Sequence, residues 1–271
     1  MHTNDILALF DAQERRTAVP PMYIREESDG VVRHVSRRPE RLSNVVYSDL
    51  TAVTADAAIQ AQINRFRALE RPRFTWQALD HDAPPDLKAR LVDHGFVADE
   101  PETLLVLETA DLPDDFPETW SVDVRRLTTV YEIADVVAVL TAVWDGDFAW
   151  LTTQLTDYLT HHPDFISLYA AYVNDEPASC AWSHFPAGSQ FVGLWGGATL
   201  PAFRGWGLYS ALVAARAAEA RQRGARFLWV NANDNSRPIL QKRGFRPFAV
   251  KQGFDWDERE KEIRDWRLGS L

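Results

Sequence analysis

Two stretches of this chain echo each other, and that echo constrains its fold more than any other feature. Arg73-Phe74-Thr75-Trp76 is matched by Arg226-Phe227-Leu228-Trp229. Each is followed by a polar loop, a short helical pattern and a Gly-Phe pair, Gly95-Phe96 in one half and Gly244-Phe245 in the other. Trp76 to Gly95 spans 19 positions and Trp229 to Gly244 spans 15, so the copies differ by a four-residue insertion. A helical stretch precedes each copy, Ala57 to Leu69 and Ala211 to Arg223. Chance likeness between two strand-helix-strand units is the alternative, but order, spacing and flanking elements all favour a diverged duplication. The seam is ADLPDDFPET, Ala110 to Thr119, with two prolines, four carboxylates and no apolar periodicity. The expected division is a first domain at 1–109, a linker at 110–120 and a second domain at 121–271.

The second half carries the clearer pattern. Val122 to Arg126 reads as a strand, and Tyr131 to Trp144 as a helix with Ile133, Val136, Val137 and Leu140 on one face. A second helix covers Trp150 to His161. Strands follow at Phe165 to Val173, Ala178 to Phe185 and Phe191 to Leu200, joined by Asn-Asp and Pro-Ala-Gly-Ser turns, which is hairpin chemistry. An alanine-rich helix, Gly207 to Arg223, ends at Gly224. Phe227 to Val230 is a short strand, Ser236 to Arg243 a short helix and Phe248 to Trp256 the closing strand. The fold class is therefore α/β of the α+β kind: a mixed, mostly antiparallel central sheet flanked by helices, duplicated in tandem.

Acidic residues number 39 against 29 Lys and Arg, a net charge of -10. That weighs against nucleic-acid and membrane-surface partners, which need a basic face. The single cysteine, Cys180, excludes an intramolecular disulfide and a multi-cysteine zinc site. His161-His162 is too sparse for a metal, and none is expected. No apolar run approaches the roughly 20 residues of a membrane span. Met1 to Arg16 carries Asp5, Asp11 and Glu14 in place of the apolar core of a signal peptide. The expectation is a cytoplasmic monomer or homodimer.

Chemistry concentrates in Thr199-Leu200-Pro201-Ala202-Phe203-Arg204-Gly205-Trp206-Gly207-Leu208-Tyr209-Ser210, between a strand and a helix. Gly205 and Gly207 can take positive φ without a Cβ penalty. Their amides, and those of the first helical turn, have no intrahelical acceptor. They converge where the helix dipole places about half a positive charge, which suits a phosphate or diphosphate. Arg204 adds a full charge in fork geometry. For Gly-x-Gly alone an ordinary strand-to-helix turn is the alternative. A P-loop is excluded because G-x-x-x-x-G-K-[ST] does not occur. A dinucleotide turn would need glycine at Ser210, and a preceding strand in a βαβ unit rather than a meander.

TLPAFRGWGLYSAL, followed about 20 residues later by NDNSRPILQKRGF, resembles the acyl-CoA-binding signature of the GNAT superfamily of N-acyltransferases. The family pattern [RQ]-x-x-G-x-[GA] matches at Arg204 and Gly207, while Tyr209 stands where the family has a small residue. An Asn ahead of a short helix ending in Gly-Phe matches at Asn235, Gly244 and Phe245. The likeness covers Ser121 to Trp256 and reaches the first half only through the repeat. It implies acetyl-CoA as cosubstrate. Thr199 and Leu200 would pair with the pantetheine amides, and Arg204, Gly205, Trp206, Gly207, Leu208 and Tyr209 would hold the diphosphate. Asn235 and Ser236 would contact pantetheine near the thiol. The corresponding segment of the first half, Asp49 to Asp56, has no glycine and two carboxylates that would repel phosphate. The first half is thus expected to be a degenerate copy without a cofactor turn.

The resemblance implies transfer of an acetyl group to a small-molecule or peptide amine by direct attack in a ternary complex. A lysine-like amine of pKa ~10.4 carries a penalty of about 4.6 kcal/mol at pH 7 before it can attack, so a base or water chain must help. The family often supplies a carboxylate on the strand before the glycine turn and a Tyr four residues before the final Gly. Here that strand reads FVGLWGGA, and Leu240 holds the Tyr position. His184 and Asp147 are the remaining candidates. A satisfied strand histidine and a helix cap are the plainer readings of them. Asp145 has the same plainer reading as Asp147, and Cys180 reads as core. The alternatives are a non-catalytic acyl-CoA-binding module and, less favoured by the charge and the intact turn, an aminoacyl-tRNA-dependent transferase.

Overall fold

The chain packs as two units, and the packing does not divide it at the seam. In the computed structural model, which describes residues 2–112 and 122–258, one unit runs to Leu104 and takes back Asn231–Asp234 and the chain from Pro247. The other holds Leu105–Val230 and Asn235–Arg246. Residues 113–120 of the expected linker lie outside the described residues.

The first unit contains α1 (Thr3–Phe10), β1 (Tyr23–Ser28), β2 (Val31–Ser36), β3 (Ser43–Ser48), α2 (Ala55–Ala68), β4 (Arg73–Leu79), α3 (Leu87–Asp93) and β5 (Val97–Ala98). Strand β6 (Glu102–Glu108) follows, and most of it counts with the second unit. That unit continues through β7 (Asp123–Leu127), α4 (Ile133–Trp144), α5 (Ala149–His161), β8 (Ile166–Val173), β9 (Glu176–His184), β10 (Phe191–Thr199), α6 (Leu208–Gln222), β11 (Phe227–Ala232) and α7 (Arg237–Gln241). The last strand is β12 (Arg246–Asp257).

Both units share one motif. In the first, β1, β2 and β3 form an antiparallel meander, and β3 then pairs in parallel with β4 across α2. In the second, β7, β8, β9 and β10 are antiparallel, and β10 pairs in parallel with β11 across α6. The echo in the sequence is an echo in register. Ser43, Asn44 and Val45 lie opposite Phe74, Thr75 and Trp76, as Phe191, Val192 and Gly193 lie opposite Phe227, Leu228 and Trp229. Each parallel pairing stops after those three residues and the strands part.

The expected closing strand exists, but its place differs from the expectation. β12 lies antiparallel on β4, with Lys251 opposite Leu79 and Asp257 opposite Arg73. Alternation explains this: Phe254 and Trp256 point the same way and are almost fully buried in the first core. There Phe74 stacks on Phe66 at 4.1 Å and lies 5.8 Å from Trp256. In the second unit the free edge of β11 is taken by β6. A domain cut at 110–120 therefore separates each unit from one of its strands.

Local signals hold where they were read. Asn174 and Asp175 both have positive φ, as a two-residue hairpin turn requires. Helix α6 is buried on most sides through Leu208, Ala211, Leu212, Val213, Ala214, Ala217 and Ala220, and its alanines allow that close packing. Among the described residues no helix is long and apolar enough to cross a membrane, and no group of three or more His, Cys, Asp or Glu could hold a metal.

Candidate functional site

A residue in the middle of a central strand should be covered, yet Trp195 of β10 is 40% exposed and Gly197 is exposed as well. The cause is the parting of β10 from β11 beyond Gly193, which opens a cleft along Trp195 to Thr199. A bulge accentuates it: Trp195 faces Trp182 and Ala198 faces Cys180, so three steps on β10 span two on β9. Gly196 takes φ +62, and any side chain there would collide with the Trp182 ring. The carbonyls of Trp182 and Trp195 beside the bulge accept from Arg216 Nη1 at 3.1 and 3.4 Å. Arg216 is fully buried, and burial pushes its pKa down to about 10.

The glycine turn follows at the carboxyl end of β10. Gly205 and Gly207 have φ +82 and +85, so the residue choice meets a backbone demand. The first helical bond of α6 runs from Ala211 N–H to Gly207 O at 2.9 Å. Leu208, Tyr209 and Ser210 thus precede any helical acceptor. Among the described residues Gly205 and Gly207 N–H also donate to no backbone carbonyl. Five amides are left at one bend. Arg204 is exposed beside them and makes one long contact, 3.4 Å from Nε to Thr199 O. Trp206 is 61% exposed.

Tyr209 has a structural reason. Its ring lies over Gly197, where a Cβ would sit 2.6 Å from Tyr209 Cε2, so a large residue replaces the family's small one because the strand beneath it yields space. Burial raises the Tyr209 pKa. Thr199 and Leu200 differ. Leu200 N–H donates to Ala178 O and its carbonyl accepts from Phe203 N–H, both at 2.9 Å, so its backbone is engaged within the chain. The Thr199 side chain is held by Ser179 Oγ at 2.7 Å. Asn235 and Ser236 follow β11, and because β10 and β11 are parallel their loops leave the sheet at the same end.

The candidate bases sit in differing environments, and His184 is not the satisfied strand histidine expected. His184 lies opposite Gly193, stacked on Phe165 at 4.7 Å and flanked by Trp195 at 5.6 Å. Its Nε2 is buried without a partner, and burial pushes its pKa down to about 3. Asp147 is exposed and accepts from Ala149 N–H at 2.8 Å as α5 begins. Asp145 is the left-handed residue ending α4. Cys180 is buried and its thiol pKa is pushed up to about 12 by burial, which keeps it protonated. Leu240 is fully buried, so the position of the family's Tyr faces core. Sequence reasoning missed the role of the β10 glycines. Three glycines within five strand residues, Gly193 to Gly197, were the available signal.

The equivalent opening in the first unit is filled by the chain itself. Arg15 Nε donates to Val46 O, just past the last β3 residue paired with β4, at 3.0 Å. Its two Nη groups grip Asp82 at 2.8 and 2.6 Å, and Asp82 also accepts from Leu79 N–H at 3.0 Å. Asp82 stands six residues after Trp76, as Asn235 stands six after Trp229. A separate surface pocket of about 610 Å³ lies at the far end of α6, lined by Arg126, Tyr169, Glu219 and Arg223 among others. It is about 18 Å along the helix from Gly207. Its Glu219 is already bonded to Ser167 and Tyr169 at 2.7 and 2.8 Å.

Residues 127–245 match the model of the acetyltransferase (GNAT) family. That segment is similar to a GNAT acetyltransferase domain. It contains the bulged strand, the glycine turn and the Asn235 loop. Among solved structures, the chain is similar over its length to a GCN5-related N-acetyltransferase from Kribbella flavida, at 17% identity and TM-score 0.68, covering 94% of this chain and 93% of that one. It is also similar to a functionally unknown conserved protein from Staphylococcus epidermidis, at 16% identity and TM-score 0.66, covering 88% and 96%. A tandem GNAT protein from the clavulanic acid biosynthesis pathway has 14% identity and TM-score 0.60, covering 89% and 85%. At such identities the likeness is one of fold, and it extends to both GNAT-like halves. No curated protein sequence matches the chain.

Proposed function

We propose that this protein is an acetyl-CoA-dependent N-acetyltransferase that carries one acetyl-CoA, in its second half, and passes the acetyl group to a small-molecule or peptide amine by direct attack. The observation that carries this reading is the bend from Gly205 to Ser210. Five amides without backbone acceptors and the Arg204 guanidinium meet there at the mouth of an opened strand pair. The diphosphate would lie on those amides, the pantetheine arm along β10 and the thiol deepest in the cleft. On this reading two of the expected roles shift. Thr199, with its carbonyl lightly used, is the better strand partner for the arm than Leu200. His184, neutral and enclosed, is a poor base. The amine proton would leave through water in the open cleft beside Trp195 and Gly197.

The first half would hold no cofactor, because Arg15 and Asp82 occupy the corresponding space. A second reading, a binding module without turnover, is favoured by one observation: the cleft face of β10 carries no acid, and Leu240 is buried where the family has Tyr. Calorimetry with acetyl-CoA and CoA, run beside a thiol-release assay over a panel of amines, separates them. Binding of one equivalent with turnover on any amine supports the transferase. Binding without turnover supports the module, and absence of binding removes both.

A further inference from the structure

We propose that Trp195 and Trp229 set the length of the acyl group by closing the inner end of the cleft, so that a short acyl chain is accepted and a long one is excluded. This rests on the acyl-CoA reading of the cleft and adds the identity of the residues that limit its depth.

The argument starts at the apex, where β10 and β11 part. The last paired residues are Gly193 and Trp229. The Trp195 indole folds back over Gly193, so that a Cβ there would lie 2.6 Å from Trp195 Nε1 and 3.1 Å from Cε2 and Cζ2 of Trp229. The two indoles meet edge to face, with centroids 5.4 Å apart and planes at 81°, a favourable aromatic arrangement. They occupy the space that the missing Gly193 side chain leaves free. Behind Trp195 stands His184 at 5.6 Å, itself stacked on Phe165 at 4.7 Å. The wall is therefore backed by further rings and cannot easily retreat.

Its front is open, since Trp195 remains 40% exposed. An arm anchored by its diphosphate at the glycine turn and lying along β10 reaches Thr199 first and Trp195 last. Its acyl carbon therefore arrives where the indoles block further travel. A two-carbon group ends there, whereas a chain several methylenes longer has to displace a ring or leave the cleft.

The test is the ratio of dissociation constants for hexanoyl-CoA and acetyl-CoA, measured by calorimetry on the full chain, for the wild type, Trp195→Ala and Trp195→Phe. In the wild type the ratio should be at least tenfold in favour of acetyl-CoA. It should fall to near unity in Trp195→Ala and take an intermediate value in Trp195→Phe, which keeps an aromatic ring and decides the matter should the alanine variant fail to fold. A ratio unchanged by these substitutions, or a wild type that binds both thioesters equally, overturns the proposal while leaving the acyl-CoA reading in place. A wild type that binds neither thioester, nor CoA itself, overturns that reading and this proposal together.

Discussion

Gly207 shows how a single residue carries the binding site. At φ +85 it holds the N-terminal mouth of α6 in a conformation that a β-branched side chain adopts only with strain. In Gly207→Val the bend should rearrange and misdirect its amides. The loss of one charge-assisted hydrogen bond, about 2 kcal/mol, corresponds to roughly a thirtyfold weaker CoA affinity. Calorimetry should show that loss, with the melting temperature within about 5 °C of the wild type. His184 offers a second prediction. Its pKa is held at about 3 in the folded chain by burial, against ~6.5 when unfolded. Below pH 6.5 the unfolded state takes up a proton that the folded state refuses. This histidine's contribution is therefore complete above pH 6.5 and is lost as pH falls toward 3, by about 1.4 kcal/mol per pH unit. Denaturant titrations between pH 7 and 4.5 should show a shallower pH dependence in His184→Phe than in the wild type. Gly207 was legible in the sequence because its role is local. The surroundings of His184 were not, because Phe165, just ahead of β8, and Trp195 of β10 reach it from distant parts of the chain.

Among elements, the parallel pair around a helix occurs twice with opposite outcomes. In the second unit the pair opens onto a glycine turn. In the first it closes on Arg15, brought in from the segment after α1, and Arg15 is 5% exposed with its guanidinium forked on Asp82. Removing one partner of a buried pair leaves an uncompensated charge, so Arg15→Ala should cost about 3–5 kcal/mol. Asp82→Ala should cost a similar amount. The double variant should fall short of their sum by more than 1 kcal/mol, measured as a denaturation cycle. Most helices and strands could be read from the sequence, since periodicity and turn residues act within a few positions. Arg15 as the occupant of a slot 31 residues ahead, at Val46, could not. Neither could the fit of Tyr209 over Gly197, although both residues were in view.

On the scale of the whole molecule, the repeat was visible in the two Arg-Phe-x-Trp strands, and the register pairing of Val45 with Trp76 and Gly193 with Trp229 bears out the duplication. Strand ownership was not visible, because nothing local in Phe248 to Trp256 says which of two similar sets of strands will receive it. The consequence is measurable. Chains ending at 109 lack the Phe254 and Trp256 side of the first core, and chains beginning at 121 lack the strand that borders β11. Each fragment should be unfolded or aggregated by circular dichroism and size-exclusion chromatography, whereas Trp256→Ala in the full chain should cost about 3–5 kcal/mol. Synthesis runs from the amino end, so the half that leaves the ribosome earliest is the one finished latest. Its sheet waits, with the aromatic face around Phe74 uncovered, until the chain beyond Pro247 has been made.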